Sequence, residues 1–351
     1  MKKKLIAAAV IAVVSAPAFA EVSFYGVLDA AVASVSNTGK QSDILALSGA
    51  MSASRLGVKA SEDLGDGLTA LAVLEYKLDG ETSAGTSLAN NARQQMLALA
   101  GGFGTVAAGY LQTTAWDFAG KYDPVSGSAA SPYDTIAKGD GFLISATAAA
   151  ARASRAVAYI SPNMNGLTVA VNHSTALSDG TGNLNVADPG GTSTKVSANL
   201  ASVNYENGPL SAGAVYAATN NAIATSNVTE YAFGASYNLD VTKLYATYQT
   251  QTNNAATSTS NSMYSVAAVV PMGSDALAVS YAASSMNASA SSSRGYTLGY
   301  MHTMSKTVTA YAAYTAITND TNAALGVANT LIAPSAGGNS SMVGVGLRKK
   351  F

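Results

Sequence analysis

The chain has 351 residues, 48% of them apolar and 11% charged, with no cysteine and a formal net charge of −1. Soluble globular domains carry roughly 25% charged residues, so this is not the composition of an ordinary cytosolic enzyme, and low net charge with high apolar content excludes a disordered polymer. The missing cysteines exclude disulfide frameworks, thiol catalysis and zinc ribbons, and no run beyond the first twenty residues is long and apolar enough for a helical membrane span. What remains, with 32 Gly and 18 Tyr, suits a large all-β protein.

The first element is a targeting segment. Lys2, Lys3 and Lys4 form a basic region, an apolar stretch runs from Leu5 to Val14, and Ala18-Phe19-Ala20 has the small-residue cleavage pattern of a secretory signal peptide. About ten core residues fall short of the roughly 20 that an α-helical span needs. Residues 1–20 are therefore expected to be removed, leaving 21–351 as one domain. Cleavage takes three of the 19 basic residues, so the exported chain is net acidic and has no electrostatic footprint for nucleic acid.

From residue 21 the pattern is a period of two. Val22, Phe24, Gly26, Leu28, Ala30 and Val32 share one face, with Ser23, Tyr25 and Asp29 on the other. In 68–79 every even position is apolar, while Glu75, Lys77 and Asp79 are odd. The same alternation recurs through Tyr231, Phe233, Ala235, Tyr237 and Leu239, through Leu277, Val279, Tyr281 and Ala283, through Val308 to Ala316, and through Val343, Val345 and Leu347. Such alternation predicts strands with one apolar and one polar face. Sixteen are expected: 22–35, 51–62, 68–79, 92–101, 104–111, 154–161, 165–174, 194–206, 209–219, 228–240, 241–252, 261–271, 275–286, 292–303, 306–317 and 341–351.

Tight turns such as 62–67, 161–166, 206–209 and 304–306 alternate with longer polar stretches at 36–50, 80–91, 112–150, 175–193, 253–260 and 318–340. Short turns at one end and long loops at the other are the layout of a transmembrane antiparallel β-barrel. Only helices and closed barrels pair every backbone polar group inside lipid. Here the apolar faces of Val, Leu, Ala and Tyr suit lipid, and the Ser, Thr, Asn and Gly faces suit a water-filled interior.

Several segments resemble the Gram-negative trimeric general porins of the Neisseria type. Phe24-Tyr25-Gly26-Val27-Leu28-Asp29 is similar to the family's first-strand signature, and 54–68, containing Ser54-Arg55, Gly57 and Glu62-Asp63-Leu64-Gly65, to its second strand and turn. Gly102-Phe103-Gly104-Thr105-Val106-Ala107-Ala108-Gly109 resembles its fifth strand, Ser154-Arg155-Ala156-Val157-Ala158-Tyr159-Ile160-Ser161-Pro162 the strand after its third loop, and the chain ends in Phe351 as these porins do. Gly109-Tyr110-Leu111-Gln112 replaces the usual Gly-Arg-Gln, Lys349 stands where an apolar or aromatic residue is common, and the Pro-Glu-Phe-Gly tetrapeptide of many third loops is missing. The resemblance implies a sixteen-stranded homotrimer in the outer membrane, among lipid and lipopolysaccharide. It would pass ions and small hydrophilic solutes without a cofactor, through a lumen narrowed by an inward-folded third loop.

Segment 112–150 follows the fifth predicted strand, where the family places that loop, and unpatterned stretches this long are usually functional. It holds Asp117, Asp123, Asp134 and Asp140, with Trp116 and Tyr122 to pack it. On the wall, Leu56, Val58 and Ala60 face lipid, so parity turns Arg55 and Lys59 to the lumen. Arg93 opens the fourth strand, and Arg155 opens the sixth with Arg152 just before it; Arg55, Arg93 and Arg155 match the basic cluster of the family's eyelet. The expected constriction is thus a basic wall of Arg55, Lys59, Arg93, Arg152 and Arg155 facing an acidic loop of Asp117, Asp123, Asp134 and Asp140. Such a field filters ions. Glu75 and Lys77 are also lumen-side by parity, at a height parity does not set.

An outer-membrane adhesin or structural barrel, or a surface enzyme with a site in the barrel mouth, is the alternative. The two histidines, His173 and His302, continue outward-facing parities and do not converge on a metal or catalytic site. An adhesin would not require a long inward loop opposite arginines. The opening strand and Phe351 are expected to lie side by side, with the Glu21 amino group near the terminal carboxylate.

Overall fold

A computed structural model describes residues 21–78, 92–177, 196–221, 227–254, 258–327 and 333–351. The expected signal peptide at 1–20 and the stretch 80–91 lie outside the described residues, as do most of 175–193 and parts of 253–260 and 318–340. In chain order the elements are β1 (Glu21–Asn37), β2 (Asp43–Ser48), β3 (Arg55–Gly65), β4 (Leu68–Lys77), β5 (Ala92–Gly101), β6 (Gly104–Gln112), α1 (Thr114–Tyr122), α2 (Pro132–Gly139), β7 (Arg152–Ile160), β8 (Leu167–Leu177) and β9 (Val196–Asn207). There follow β10 (Leu210–Asn221), β11 (Val228–Asn238), β12 (Lys243–Asn253), β13 (Thr259–Met272), β14 (Asp275–Ser285), β15 (Ser293–Thr303), β16 (Val308–Asn319) and β17 (Ser340–Lys350).

Each strand from β3 to β17 pairs antiparallel with the next, and β1 closes the sheet against β17 through Val27↔Lys350 to Asn37↔Ser340. On its other edge β1 pairs with β3 over Glu21–Val27 and with β2 over Ala30–Val35. Thus β2 and β3 are one interrupted stave, broken where Gly49 takes φ +81°, and the barrel has sixteen staves. The stretch 36–50, expected as loop, contains β2. Closure is as expected, but the chain ends are offset. Phe351 exchanges backbone hydrogen bonds with Gly26, so Glu21–Tyr25 extends beyond the end of the chain and pairs with β3 alone. The closing register, which parity does not specify, sets this offset.

The alternation is the sheet's two faces. Phe24 (72% exposed), Leu28, Val32, Leu56, Leu74, Phe233, Val279, Val345 and Leu347 are exposed on one, whereas Asp29, Ala31, Ala33, Glu75, Ala232 and Thr315 are buried on the other. A strand's successive side chains point to opposite faces, so a one-residue slip would bury the apolar set and expose the polar one. No helix among the described residues is long and apolar enough to cross a membrane; the apolar face of the closed sheet does so instead.

Segment 113–151 packs against strand residues of the buried face. Two short helices interrupt this segment. Thr113 caps α1, its hydroxyl accepting from the Ala115 amide, and Ser131 caps α2 ahead of Pro132. Asp117 and Asp134 lie in first turns and Lys121 and Lys138 in last turns, the arrangement that complements the helix dipole. Phe118 and Tyr122 pack with Ile144 against Leu200, Val215, Ala217 and Ala232; Tyr133, Ile136 and Phe142 pack with Met263, Tyr311, Ile317 and Met342. Each such buried side chain contributes roughly 1.5–3 kcal/mol. Gly234 admits the Tyr122 ring: a Cβ there would lie 2.5 Å from it.

Candidate functional site: a basic wall beside a folded segment

On the polar face, the ladders carry four arginines to one neighbourhood. β3 and β4 set Gly57 opposite Glu75 and Arg55 opposite Lys77. A register shift between β4 and β5, where Glu75 faces Gln94 and Tyr76 faces Ala92, leaves Arg93 unpaired; its Nε donates to Glu75 Oε1 at 2.6 Å. Arg55 Nε lies 3.6 Å from Glu75 Oε2, to which Tyr25 donates its hydroxyl at 3.1 Å. Tyr25 reaches Glu75 by crossing β3 over Gly57, where a Cβ would sit 2.2 Å from the tyrosine ring. Arg152, opening β7, donates Nε to the Arg93 carbonyl at 3.1 Å and lies over the Trp116 ring of α1 at 6.0 Å. Its Nη2 is buried without a hydrogen-bond partner. Arg348 on β17 lies within electrostatic reach of Arg55.

Arg55, Arg93 and Arg152 are thus brought together. Lys59 shares Arg55's face four residues along β3, about 13 Å away at strand rise, outside this cluster. Arg155 is not brought in. It has φ +48°, the pairing of β6 with β7 shifts between Gly109 and Leu111, and exposure alternates through Arg155, Val157 and Tyr159 against buried Ala156 and Ala158. The expectation that Arg155 belongs to the basic wall is therefore corrected. That placement followed the family resemblance, whereas alternation with Val157 and Tyr159 sets Arg155 on the exposed face. Glu75, centre of the cluster, was placed by parity only on the correct face, and Arg348 carried the same signal: it is out of phase with outward Val343, Val345 and Leu347.

The segment's aspartates differ from one another. Asp134 is buried and accepts from the Gly127 amide (2.6 Å) and the Ala146 amide (2.8 Å). Asp123 is buried and accepts from the Val125 amide and, at 2.5 Å, the Ser131 hydroxyl. Burial raises both carboxyls, and the neighbouring Asp134 pushes Asp123 further, to about 7. Asp140 caps the end of α2, and burial raises it to about 6 against a hydrogen bond from Ser284. Asp117 touches solvent from α1, yet the protein enclosing it lifts it to about 6, opposed by Lys121. Asp123 and Asp134 are thus committed to the segment's own backbone, an accounting that residue type alone does not disclose.

The same segment is bound to the wall at widely separated staves. Glu230 on β11 accepts from the Leu143 and Ile144 amides at 2.6 and 3.1 Å. Tyr133 donates to Gln249 on β12, Thr297 on β15 donates to the Ala130 carbonyl, and Lys121 pairs with Glu206 at 2.8 Å. The Ala129 and Ala130 amides take the Gly49 and Ala50 carbonyls, which the break between β2 and β3 leaves without a ladder.

The Gram-negative porin profile matches residues 7–322. The chain belongs to the Gram-negative porin family. It is 32% identical to the outer membrane porin protein 32 of Delftia acidovorans over 258 residues, 71% of this chain and 69% of that one. The anion-selective porin of Comamonas acidovorans superposes with TM-score 0.78 at 26% identity, covering 95% of this chain and 100% of that one. OmpT of Vibrio cholerae, in a trimer form, superposes with TM-score 0.65 at 18% identity over 95% and 99%, a likeness of fold. This porin is accordingly an outer-membrane diffusion channel and not an enzyme. His173 faces outward and bonds Asn199 through Nδ1 at 2.8 Å, and His302 meets Asp275 at 2.6 Å. No cluster of three metal-ligating side chains occurs among the described residues.

Proposed function

We propose that the 113–151 segment folds into the lumen of this porin and that the narrowing favours anions. The carrying observation is the gathering of Arg55, Arg93 and Arg152 about a single carboxylate, Glu75. Two of the segment's aspartates are meanwhile buried in its own fold. A segment that binds the break between β2 and β3 and, on the opposite side of the ring, β11 reaches both from the inside of a closed barrel. The wall then presents excess positive charge where a hydrated ion passes. The name of the Comamonas relative, an anion-selective porin, points the same way.

As partners we propose two further copies of this chain, lipopolysaccharide and lipid around the trimer, and small hydrophilic solutes and ions within it. The outer face supports the trimer by its asymmetry. Tyr205, Tyr231, Tyr248, Tyr264, Tyr296 and Tyr314 are exposed on β9–β16, whereas β17 and β1–β6 expose Leu, Val and Phe without a strongly exposed tyrosine among the described residues. Interfacial tyrosines mark lipid contact, and the aliphatic sector suits contact between copies.

Planar-bilayer conductance of the refolded protein under a salt gradient tests the reading. Steps in groups of three with an anion-selective reversal potential are expected. One unit charge about 7 Å from a passing ion in water is worth about 0.6 kcal/mol, so Arg55→Glu, a change of two units, shifts cation and anion entry about sevenfold each in opposite senses, and the permeability ratio about fiftyfold toward cations. An unchanged reversal potential removes Arg55 from the narrowing, and a folded barrel without conductance overturns the channel reading in favour of an adhesin.

A further inference from the structure

The arginines gathered at Glu75 lie on one side of β1, and a further arginine stands on the other. Val27 pairs with Arg55 of β3 on one edge of β1, and Asp29 pairs with Arg348 of β17 on the opposite edge. Arg55 and Arg348 are thus two inter-strand spacings apart, roughly 10 Å, and offset by two residues. Arg348 is on the polar face, in phase with Gly344 and Gly346 and out of phase with exposed Val343, Val345 and Leu347. The seam that closes the barrel therefore continues the basic wall.

The two sides of β1 commit their charges differently. Arg55 and Arg93 share the Glu75 carboxylate. Arg348 has no hydrogen bond or ion pair among the described residues; its Nε is buried without a partner while the residue as a whole is half-exposed. The carboxylate within electrostatic reach is Asp29, which is 2% exposed. Its Oδ1 accepts the Tyr311 hydroxyl and its Oδ2 is buried without a partner. Tyr311, on β16, reaches Asp29 by crossing β17 over its register partner Gly346, where a Cβ would lie 2.3 Å from the tyrosine hydroxyl. Tyr25 crosses β3 over Gly57 in the same manner, but the carboxylate it reaches does meet arginines. At the seam, a carboxylate oxygen and a guanidinium nitrogen are both left unsatisfied, and the tyrosine holds the carboxylate. Charge-assisted pairs are the strong hydrogen bonds, so without that hydroxyl the two groups would close on one another.

We infer that Arg348 is a specificity-determining residue of the narrowing, its charge left open to passing anions because Tyr311 holds Asp29 away from it. Arg348 acts on the ion directly, and Tyr311 is a positioning residue that acts through Asp29. This deepens the anion preference proposed above and rests on that reading.

The test measures the reversal potential of the refolded chain in planar bilayers, under a potassium chloride gradient at low salt. Wild type is compared with Arg55→Glu, Arg348→Gln, Arg348→Lys, Tyr311→Phe and the double variant Tyr311→Phe/Asp29→Asn. Arg348→Gln is expected to lower the ratio of anion to cation permeability about sevenfold, the effect of one unit charge about 7 Å from the ion path in water. Arg348→Lys should stay near wild type. Tyr311→Phe leaves every formal charge in place and should lower the ratio about twofold, as a carboxylate drawn from about 10 to about 7 Å of the path would. Adding Asp29→Asn should return the ratio to wild type or above. A conducting Arg348→Gln channel with the wild-type potential overturns the inference, and so does an equal loss in Arg348→Gln and Arg348→Lys, which marks a packing role. No loss in Tyr311→Phe, or a loss that persists when Asp29→Asn is added, removes Tyr311 as the positioning residue. Should Arg348→Gln not fold, Arg348→Lys and the two Tyr311→Phe variants decide. A shift in Arg55→Glu without one in Arg348→Gln sinks this inference alone, whereas no shift in either sinks the anion-selective narrowing with it.

Discussion

The strand wall and the 113–151 segment carry opposite charges and use them in opposite ways. On the wall, the ladder satisfies most backbone amides and carbonyls, and Arg55, Arg93 and Glu75 meet through their side chains. In the segment, two short helices joined by irregular chain leave amides without a ladder, and buried amides must find acceptors. Asp123 and Asp134 supply them. The difference teaches that a charge on a strand remains available to the lumen, whereas a charge on a folded loop can be consumed in holding the loop together.

The most severe way to break this contrast is Asp134→Ala. It strands the Gly127 and Ala146 amides, each costing about 1–3 kcal/mol when buried and unpaired. The segment should become cleavable by protease and the open channel noisy; a protease-resistant segment with quiet conductance would show that Asp134 is not structural. Glu75→Gln sharpens the wall side. It removes the carboxylate among the arginines, and one unit of charge should raise the ratio of anion to cation permeability about sevenfold at low salt. No change in reversal potential would place Glu75 away from the ion path.

The smallest effect is on pH. Asp123, raised to about 7 by burial and by Asp134, holds its proton more tightly folded than unfolded. Its contribution to the segment's stability is complete below about pH 4 and is lost as pH rises through about 7. Hydrogen-exchange protection at 123–146, taken relative to the base-catalysed rate of the unfolded chain, should fall modestly between pH 5 and 8, and Asp123→Asn should flatten that dependence. A rise in protection with rising pH would contradict the burial-driven shift.

Much of the architecture was legible because a strand's period is two. Sixteen staves, their faces, the tight turns and the lumen side of Arg55 and Glu75 follow from alternation alone, and each strand boundary falls within a few residues of its expected place. Alternation fails wherever the ladder slips. The break between β2 and β3 hides a short strand in a supposed loop; Arg155, placed on the wall by resemblance, stands instead in phase with exposed Val157 and Tyr159. In segment 113–151 there is no period to read, so the burial of Asp123 and Asp134 and the two helices were not legible.

The sequence by itself determined a membrane barrel, its family and the alternation of apolar and polar faces along its strands, because pleat and lipid together leave one workable arrangement of those faces. Only the tertiary structure decided the meeting of Arg55, Arg93 and Arg152 at Glu75 and the internal use of the loop aspartates. These depend on register, bulges and hydrogen-bond satisfaction among residues distant in sequence, which local periodicity does not encode.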